Sequence, residues 1–374
     1  MSVNCGIVGL PNVGKSTIFS ALSSAPAETA NYPFCTINPN VGIVNAPDAR
    51  LRKLAEIFNP KKTIAATVEF VDIAGLVKGA SAGEGLGNQF LSHIREVGII
   101  AHTVRCFEDA GLIHVANKVD PEADMEVINI ELALSDLETC AKRRERLERI
   151  IKTQSAAEKK PAAAELAVLD KVEKALADGQ AVRLLGLSLE EAALLSDCHF
   201  ITQKPQLYVC NTDEAGMKAA VAGKPHPLID AVKKRAALEG AAAIVVCGKF
   251  EAELAGIEDM AEKAAFLSDL GLTEPALTSL IKCAYKLLGL TTFFTAGSDE
   301  CRAWTVHSGS TAPKAAGVIH TDFEKGFIKA EVYAFDDIVT YGSEAKIKEA
   351  GKYRLEGKDY IVQDGDVMFF KFNV

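Results

Sequence analysis

The sequence predicts an α/β fold: a mostly parallel sheet, a long helical insertion within it, and a small β-rich module toward the carboxyl end. Three observations carry this. Apolar runs suited to buried strands alternate with helical patterns, as in Cys5 to Val8 followed by Thr17 to Leu22. Between Asn129 and about Phe200 the pattern is helical, one long stretch through Leu132, Leu134, Leu137, Leu147 and Ile151 and a second through Leu166, Leu169, Val172 and Leu176. Beyond Leu288 the chain changes to short strand-like runs at Thr291 to Thr295, Arg302 to Val306, Phe327 to Val332 and Val367 to Phe372, separated by glycine-bearing turns.

Composition narrows the class. At 374 residues, 48% hydrophobic and 24% charged, the chain has enough apolar material for two or three domains with real cores. Its formal charge of −9 excludes a global attraction to nucleic acid or to an anionic membrane. No DNA or membrane partner is expected. No apolar run approaches a bilayer span, and Met1 to Leu10 lacks the basic start of a signal peptide, so a cytoplasmic monomer is the expectation. The nine cysteines contain no C-x-x-C pair, which suits neither a zinc site nor a disulfide framework.

The first strand–loop–helix passage carries the chemistry. Gly9-Leu10-Pro11-Asn12-Val13-Gly14-Lys15-Ser16 fits G-x-x-x-x-G-K-[ST]. In that context it is a phosphate-binding loop heading a P-loop NTPase G domain: the amides of Asn12, Val13, Gly14, Lys15, Ser16 and Thr17 face phosphates, Lys15 reaches the β- and γ-phosphates, and Ser16 gives an oxygen to Mg²⁺. Asn12 also makes K⁺ a candidate, because an asparagine in this loop can ligate a monovalent cation that adds positive charge to the transition state.

The elements that follow supply the rest of such a site. Thr36 lies where a first switch would offer a hydroxyl to Mg²⁺. Strands are expected at Val41 to Val44 and Thr67 to Val71, the second running into Asp72-Ile73-Ala74-Gly75, an aspartate for Mg²⁺ and a glycine that can sense the γ-phosphate. Leu76 follows, where many GTPases carry a water-orienting glutamine, so hydrolysis should be slow unless another group enters. His93 and His114 are the nearest replacements; a structural histidine is the competing reading for each. Gly79, Gly83, Gly85 and Gly87 suggest a mobile second switch.

Base recognition has two candidates. Asn117-Lys118-Val119-Asp120 spells the guanine-reading N-K-x-D; Asn211-Thr212-Asp213-Glu214 is the poorer N-x-x-E. Topology favours the second, since Leu207 to Cys210 reads as a strand ending there, and Ala241 to Val246 is another ending at Cys247-Gly248-Lys249, where a base-contacting loop belongs. Glu214 is one methylene longer than aspartate and Thr212 replaces the flanking lysine, which weakens guanine selectivity and admits ATP as well as GTP. In the insertion, a polar turn is expected around Lys159-Lys160-Pro161. The basic run from Lys142 to Lys160 is either a solvated face or a surface for an RNA backbone.

Gly9 to Ser16, Asp72 to Ala80, Gly85 to Phe90 and His320 to Phe327 together resemble the YchF subfamily of Obg-related P-loop ATPases and GTPases, along the whole chain. The resemblance implies an OBG-type G domain over residues 1–275 with a coiled-coil insertion at about 129–200, and a TGS domain over 289–372. It further implies slow ATP hydrolysis with GTP as a weaker or alternative substrate, ribosome association, and links to translation and oxidative stress. A hydrophobic residue for the glutamine matches Leu76, N-x-x-E matches Asn211 to Glu214, and His114 falls where a stand-in catalytic histidine is implied. Asn117-Lys118 departs from that pattern. The alternatives are a strict GTPase reading guanine at Asn117 to Asp120, and a redox-responsive binding protein, sensitive at Cys35, in which nucleotide is structural.

Overall fold

The computed structural model describes residues 4–24, 40–73, 86–109, 111–112 and 118–373. In chain order its strands are β1 (Asn4–Val8), β2 (Val41–Asn45), β3 (Lys62–Ile64), β4 (Thr67–Asp72), β5 (Ile99–Arg105), β6 (Gln206–Asn211), β7 (Ala242–Val246), β8 (Leu290–Ala296), β9 (Glu300–His307), β10 (Phe327–Ala334), β11 (Arg354–Glu356) and β12 (Asp366–Phe372). The first helices are α1 (Lys15–Ser24), α2 (Ala49–Phe58), α3 (Leu86–Glu96), α4 (Pro121–Thr153) and α5 (Ala156–Ala177). The chain forms two compact units: one takes most of it up to residue 280, the other takes residues 43–69 and those from 281 onward.

The first unit is built on β1, β5, β6 and β7, which run parallel in a sheet of order β2-β4-β1-β5-β6-β7, Val8 beside His102 and Arg105 beside Asn211. All seven residues of β5 and all six of β6 are buried, as expected for central strands covered on both faces. One core cluster joins Val8, Val13 and Ile73 to Ile94 of α3 and Ile128 of α4; another joins Val104 and Tyr208 to Ile229 and Val232. Burial of this kind contributes about 1.5–3 kcal/mol for each large apolar side chain.

The insertion is a helical hairpin, with one correction to its expected course. The turn lies at Gln154 and Ser155, not at Lys159 to Pro161, because Ser155 and Glu158 form a capping box that starts α5 there. Pro161 is inside the helix, where it forgoes one backbone bond. Cys140 and Leu147 pack on Leu169, Val172 and Leu176. Half of the basic run is paired within the hairpin: Arg143 with Glu165, Arg144 with Asp170 and Glu173, Arg149 with Glu145 and Lys152 with Glu148. That pairing favours the solvated-face reading.

The second unit carries the sheet β11-β10-β12-β8-β9-β3, with β8, β9, β10 and β12 where the sequence placed strands. The outer strand β3 comes from far upstream and pairs parallel with β9, Lys62 beside Glu300. The sheet has apolar residues on both faces, with Leu51 and Leu54 of α2 beside Phe294 and Tyr333 in one cluster, and Ala312 and Ala316 beside Phe293 and Met368 in the other. Among the described residues no helix is long and apolar enough to cross a membrane.

Candidate functional site

The loop after β1 turns sharply because of its backbone. Asn12 has φ 62° and Gly14 φ 90°, and a Cβ at Gly14 would come within 2.1 Å of Asn211 Nδ2. Glycine is required there for both conformation and space. The helix α1 starts at once, with Ile18 N–H donating to Gly14 O at 3.1 Å, so its amino end faces the same space. Lys15 is 7% exposed, and its ammonium donates to Gly9 O at 3.0 Å and Leu10 O at 2.8 Å. Burial lowers the Lys15 pKa and Asp72 partly restores it, so this cation is held where an anion would complete its environment.

Across from it, Ser16 Oγ donates to Asp72 Oδ2 at 3.2 Å, while Asp72 Oδ1 is buried without a hydrogen-bond partner. Burial raises the Asp72 pKa, opposed by the Ser16 hydroxyl and the Lys15 charge. A hydroxyl oxygen, a carboxylate and an orphaned buried carboxylate oxygen in one corner fit a hard divalent cation that keeps several waters and phosphate oxygens of its own. Among the described residues no cluster of three or more His, Cys, Asp or Glu offers an all-protein metal cage, consistent with that shared mode.

The other end of the site is assembled from the carboxyl ends of β5, β6 and β7, where open parallel sheets bind ligands. Asn211 ties it together: its side-chain amide donates to Val13 O at 2.8 Å and its Oδ1 accepts from Gly248 N–H at 3.0 Å, while its carbonyl accepts from Cys106 N–H at 2.7 Å. Thr212 is buried and donates to Cys106 O at 3.2 Å. Asp213 caps the helix Glu214–Val221 by accepting from Gly216 N–H at 2.7 Å, and Glu214, the exposed first residue of that helix, lines the cavity beside it. Cys247 is the buried residue that opens the helix Gly248–Ala255, and burial pushes its thiol pKa up.

These pieces enclose a cavity of about 670 Å³, lined at one end by Asn12, Gly14, Lys15, Ser16 and Thr17 and at the other by Asn211, Thr212, Glu214, Cys247 and Lys249. The size suits a nucleotide. Of the described residues expected at the site, Val13 and Asp72 do not line the cavity: the Val13 side chain is 1% exposed in the core and its carbonyl is used by Asn211, while Asp72 stands behind Ser16, from whose hydroxyl it accepts. Thr36, Leu76, His114, Asn117 and Cys35 lie outside the described residues. His93 is exposed on α3 and does not line the cavity. Asp120 instead caps α4, accepting from Ala123 N–H at 3.2 Å ahead of Pro121, and Lys118 is 80% exposed 3.9 Å from it.

Sequence reasoning missed the third wall, formed by Phe107, Glu108, Asp109 and Leu112. The available signal was positional. Phe107 lies two residues beyond β5, whose seven residues are all buried, and so stands at the carboxyl end of a central parallel strand.

A phosphate loop opening a helix, a magnesium-type corner at Ser16 and Asp72, and a second loop set at the carboxyl ends of β6 and β7 define a P-loop NTPase domain of the GTPase type. A family profile described as a 50S ribosome-binding GTPase matches residues 4–169, and the YchF-GTPase_C profile, described as a protein of unknown function, matches residues 290–373. Curated relatives named "Ribosome-binding ATPase YchF" are 53% identical in Haemophilus ducreyi, 54% in Escherichia coli O157:H7 and 52% in Bacillus subtilis, each over 100% of both chains. The solved YchF GTPase of Schizosaccharomyces pombe superposes with a TM-score of 0.88 at 38% identity, covering 98% of this chain and 97% of that one. The chain belongs to the YchF family.

Proposed function

We propose that this protein is a cytoplasmic, ribosome-associated nucleotide switch that binds and slowly hydrolyses ATP, with GTP as a weaker substrate. The observation that carries the nucleotide reading is the Asn211 side chain, which bonds both the phosphate loop and the Cys247–Gly248 turn and so makes one cavity of the two ends. Glu214 at the fourth position of Asn211-Thr212-Asp213-Glu214, where the guanine-reading pattern has an aspartate, supports adenine, and the names of the relatives support ATP and the ribosome.

In this reading Lys15 and the amides of residues 12–17 hold the phosphates, and Ser16, Thr36 and Asp72 hold Mg²⁺. The metal, when bound, neutralises charge that builds on the phosphate oxygens. Water attacks the γ-phosphorus, the bond to the β–γ bridging oxygen breaks, and ADP and phosphate leave. His114 is the proposed orienting group for that water, since Leu76 has no polar atom. K⁺ at Asn12 is the proposed monovalent cofactor, and the acting unit is a monomer. The redox alternative is not favoured, because the full-length relatives are named as ribosome-binding ATPases; of the eight described cysteines seven are buried and none is in a disulfide. The test is ATP turnover with and without purified ribosomes, in K⁺ and in Na⁺ buffers. Ribosome-stimulated turnover that is lost in Lys15→Ala supports the reading, and turnover no higher than that variant's contradicts it. Equal rates in K⁺ and Na⁺ remove K⁺ from it.

A further inference from the structure

Arg105 is among the largest fully buried side chains of the protein, 1% exposed at the end of β5. It does not line the nucleotide cavity. Its guanidinium instead gathers the wall that does: Nε donates to Phe107 O at 3.1 Å, Nη1 to Leu112 O at 3.2 Å and Nη2 to Asp109 O at 3.4 Å. The guanidinium carbon also lies 4.7 Å from the centroid of the Phe107 ring. One rigid fork thus fixes three carbonyls of a tight loop and the face of its one aromatic residue.

A buried cation whose donors go to backbone carbonyls is a poor device for stability, because desolvating the charge offsets most of what the bonds return. Such a group is understandable where position matters. Among the described residues the loop's other ties are these: Gly111 N–H donates to Asp109 Oδ1 at 2.7 Å and Leu112 N–H to Asp109 O at 3.2 Å, both local, while Cys106 connects it to Asn211 and Thr212 and, through Sγ, to Leu228 O at 3.7 Å. Phe107, Glu108, Asp109 and Leu112 line the same cavity as Asn211, Thr212 and Glu214, and Cys106, next to Phe107, bonds to Asn211 and Thr212, so this wall adjoins the base end.

We propose that Arg105 is a positioning residue for the purine base, holding Phe107 as a fixed apolar face on which the base stacks and thereby setting nucleotide affinity without touching the nucleotide. The proposal rests on the nucleotide reading of the cavity and goes beyond it by assigning the base contact to the loop after β5 and its control to Arg105. Lysine in its place keeps the charge but has one compact donor group where the guanidinium has a planar fork, and cannot reach three carbonyls in that geometry.

The test compares the Mg²⁺ complexes of ATP and of inorganic tripolyphosphate, a probe with no base, by calorimetry on wild type, Arg105→Lys, Phe107→Ala and the double variant. Wild type binding ATP more tightly than tripolyphosphate establishes that the base is held at all; equal affinities would remove the nucleotide reading itself, before Arg105 is asked about. Given that, Arg105→Lys should weaken ATP about tenfold and leave tripolyphosphate within about twofold. It should add nothing on the Phe107→Ala background, since the ring through which it acts is gone. Parallel loss of ATP and tripolyphosphate, no loss of either, or additive losses in the double variant would each overturn the assignment. Should Arg105→Lys fail to fold, the role is contradicted as one of positioning alone, and Phe107→Ala still reads whether the ring holds the base.

Discussion

The two ends of the nucleotide cavity are built by different means. The phosphate end is one continuous stretch, Gly9 to Thr17, whose backbone bends at Asn12 and Gly14 and whose lysine folds back onto its own loop. The base end is a junction of three chain segments, Arg105 to Leu112, Asn211 to Glu214 and Cys247 to Lys249, held by bonds that cross between strands. Phosphates are alike in every nucleotide and can be met by local backbone geometry; a base must be told from other bases, which needs groups arriving from several directions. Substitutions at the two ends should therefore fail differently.

Lys15→Ala should have the largest effect. Removing the side-chain cation of the phosphate loop should lower ATP turnover on the order of 10³-fold and lower GTP turnover by the same factor, since this end is blind to the base; steady-state rates with both nucleotides check it. Asn211→Ala breaks the bridge between the ends and leaves Val13 O and Gly248 N–H without their partners. Affinity for ATP should fall roughly 100-fold, about 2.7 kcal/mol, with a lower unfolding temperature even without nucleotide.

A smaller effect, visible only through pH, comes from behind the base end. Glu251 is 3% exposed in the helix that starts at Gly248 and accepts from Ala276 N–H at 2.7 Å, and burial pushes its pKa up to about 7 from an ordinary value near 4.5. A carboxyl with a raised folded pKa binds its proton more tightly in the folded state. It costs nothing below pH 4.5, and stability falls as pH rises from there to about 7, then levels. Glu251→Gln should therefore raise the unfolding free energy at pH 8, by on the order of 3 kcal/mol at most, with the gain shrinking toward pH 5. Urea melts of both proteins at the two pH values would show it. The smallest effect belongs to Asp120→Ala, which should cost about 1 kcal/mol as a lost helix cap and leave ATP affinity unchanged.

The same contrast explains what could be read from sequence. Gly9 to Ser16 is legible because its function is local, and Asp72 follows from standing at the end of a strand. Asn211 was legible only through the strands that precede and follow it, and Asn117 to Asp120 matched the guanine pattern better while Asp120 serves as a cap. Phe107 to Leu112 has no motif, because a bare aromatic after a strand acquires meaning only when three strand ends converge. The terminal module's main strands were visible from their alternation, but β3 is three residues beside Pro60 and becomes a strand only by pairing with β9. The hairpin turn was misplaced because Pro161 looked like a breaker, whereas the capping box at Ser155 and Glu158 sets the boundary.

The most direct test of the central claim, that the base sits at Asn211 to Glu214, is calorimetric titration of ATP and GTP with Mg²⁺ into wild type, Glu214→Asp and Asp120→Ala. The account predicts that ATP binds wild type at least as tightly as GTP, that Glu214→Asp moves the ratio about tenfold toward GTP, and that Asp120→Ala changes neither affinity. Dominant GTP binding that is abolished by Asp120→Ala and indifferent to Glu214→Asp would place the base at Asn117 to Asp120 and contradict it.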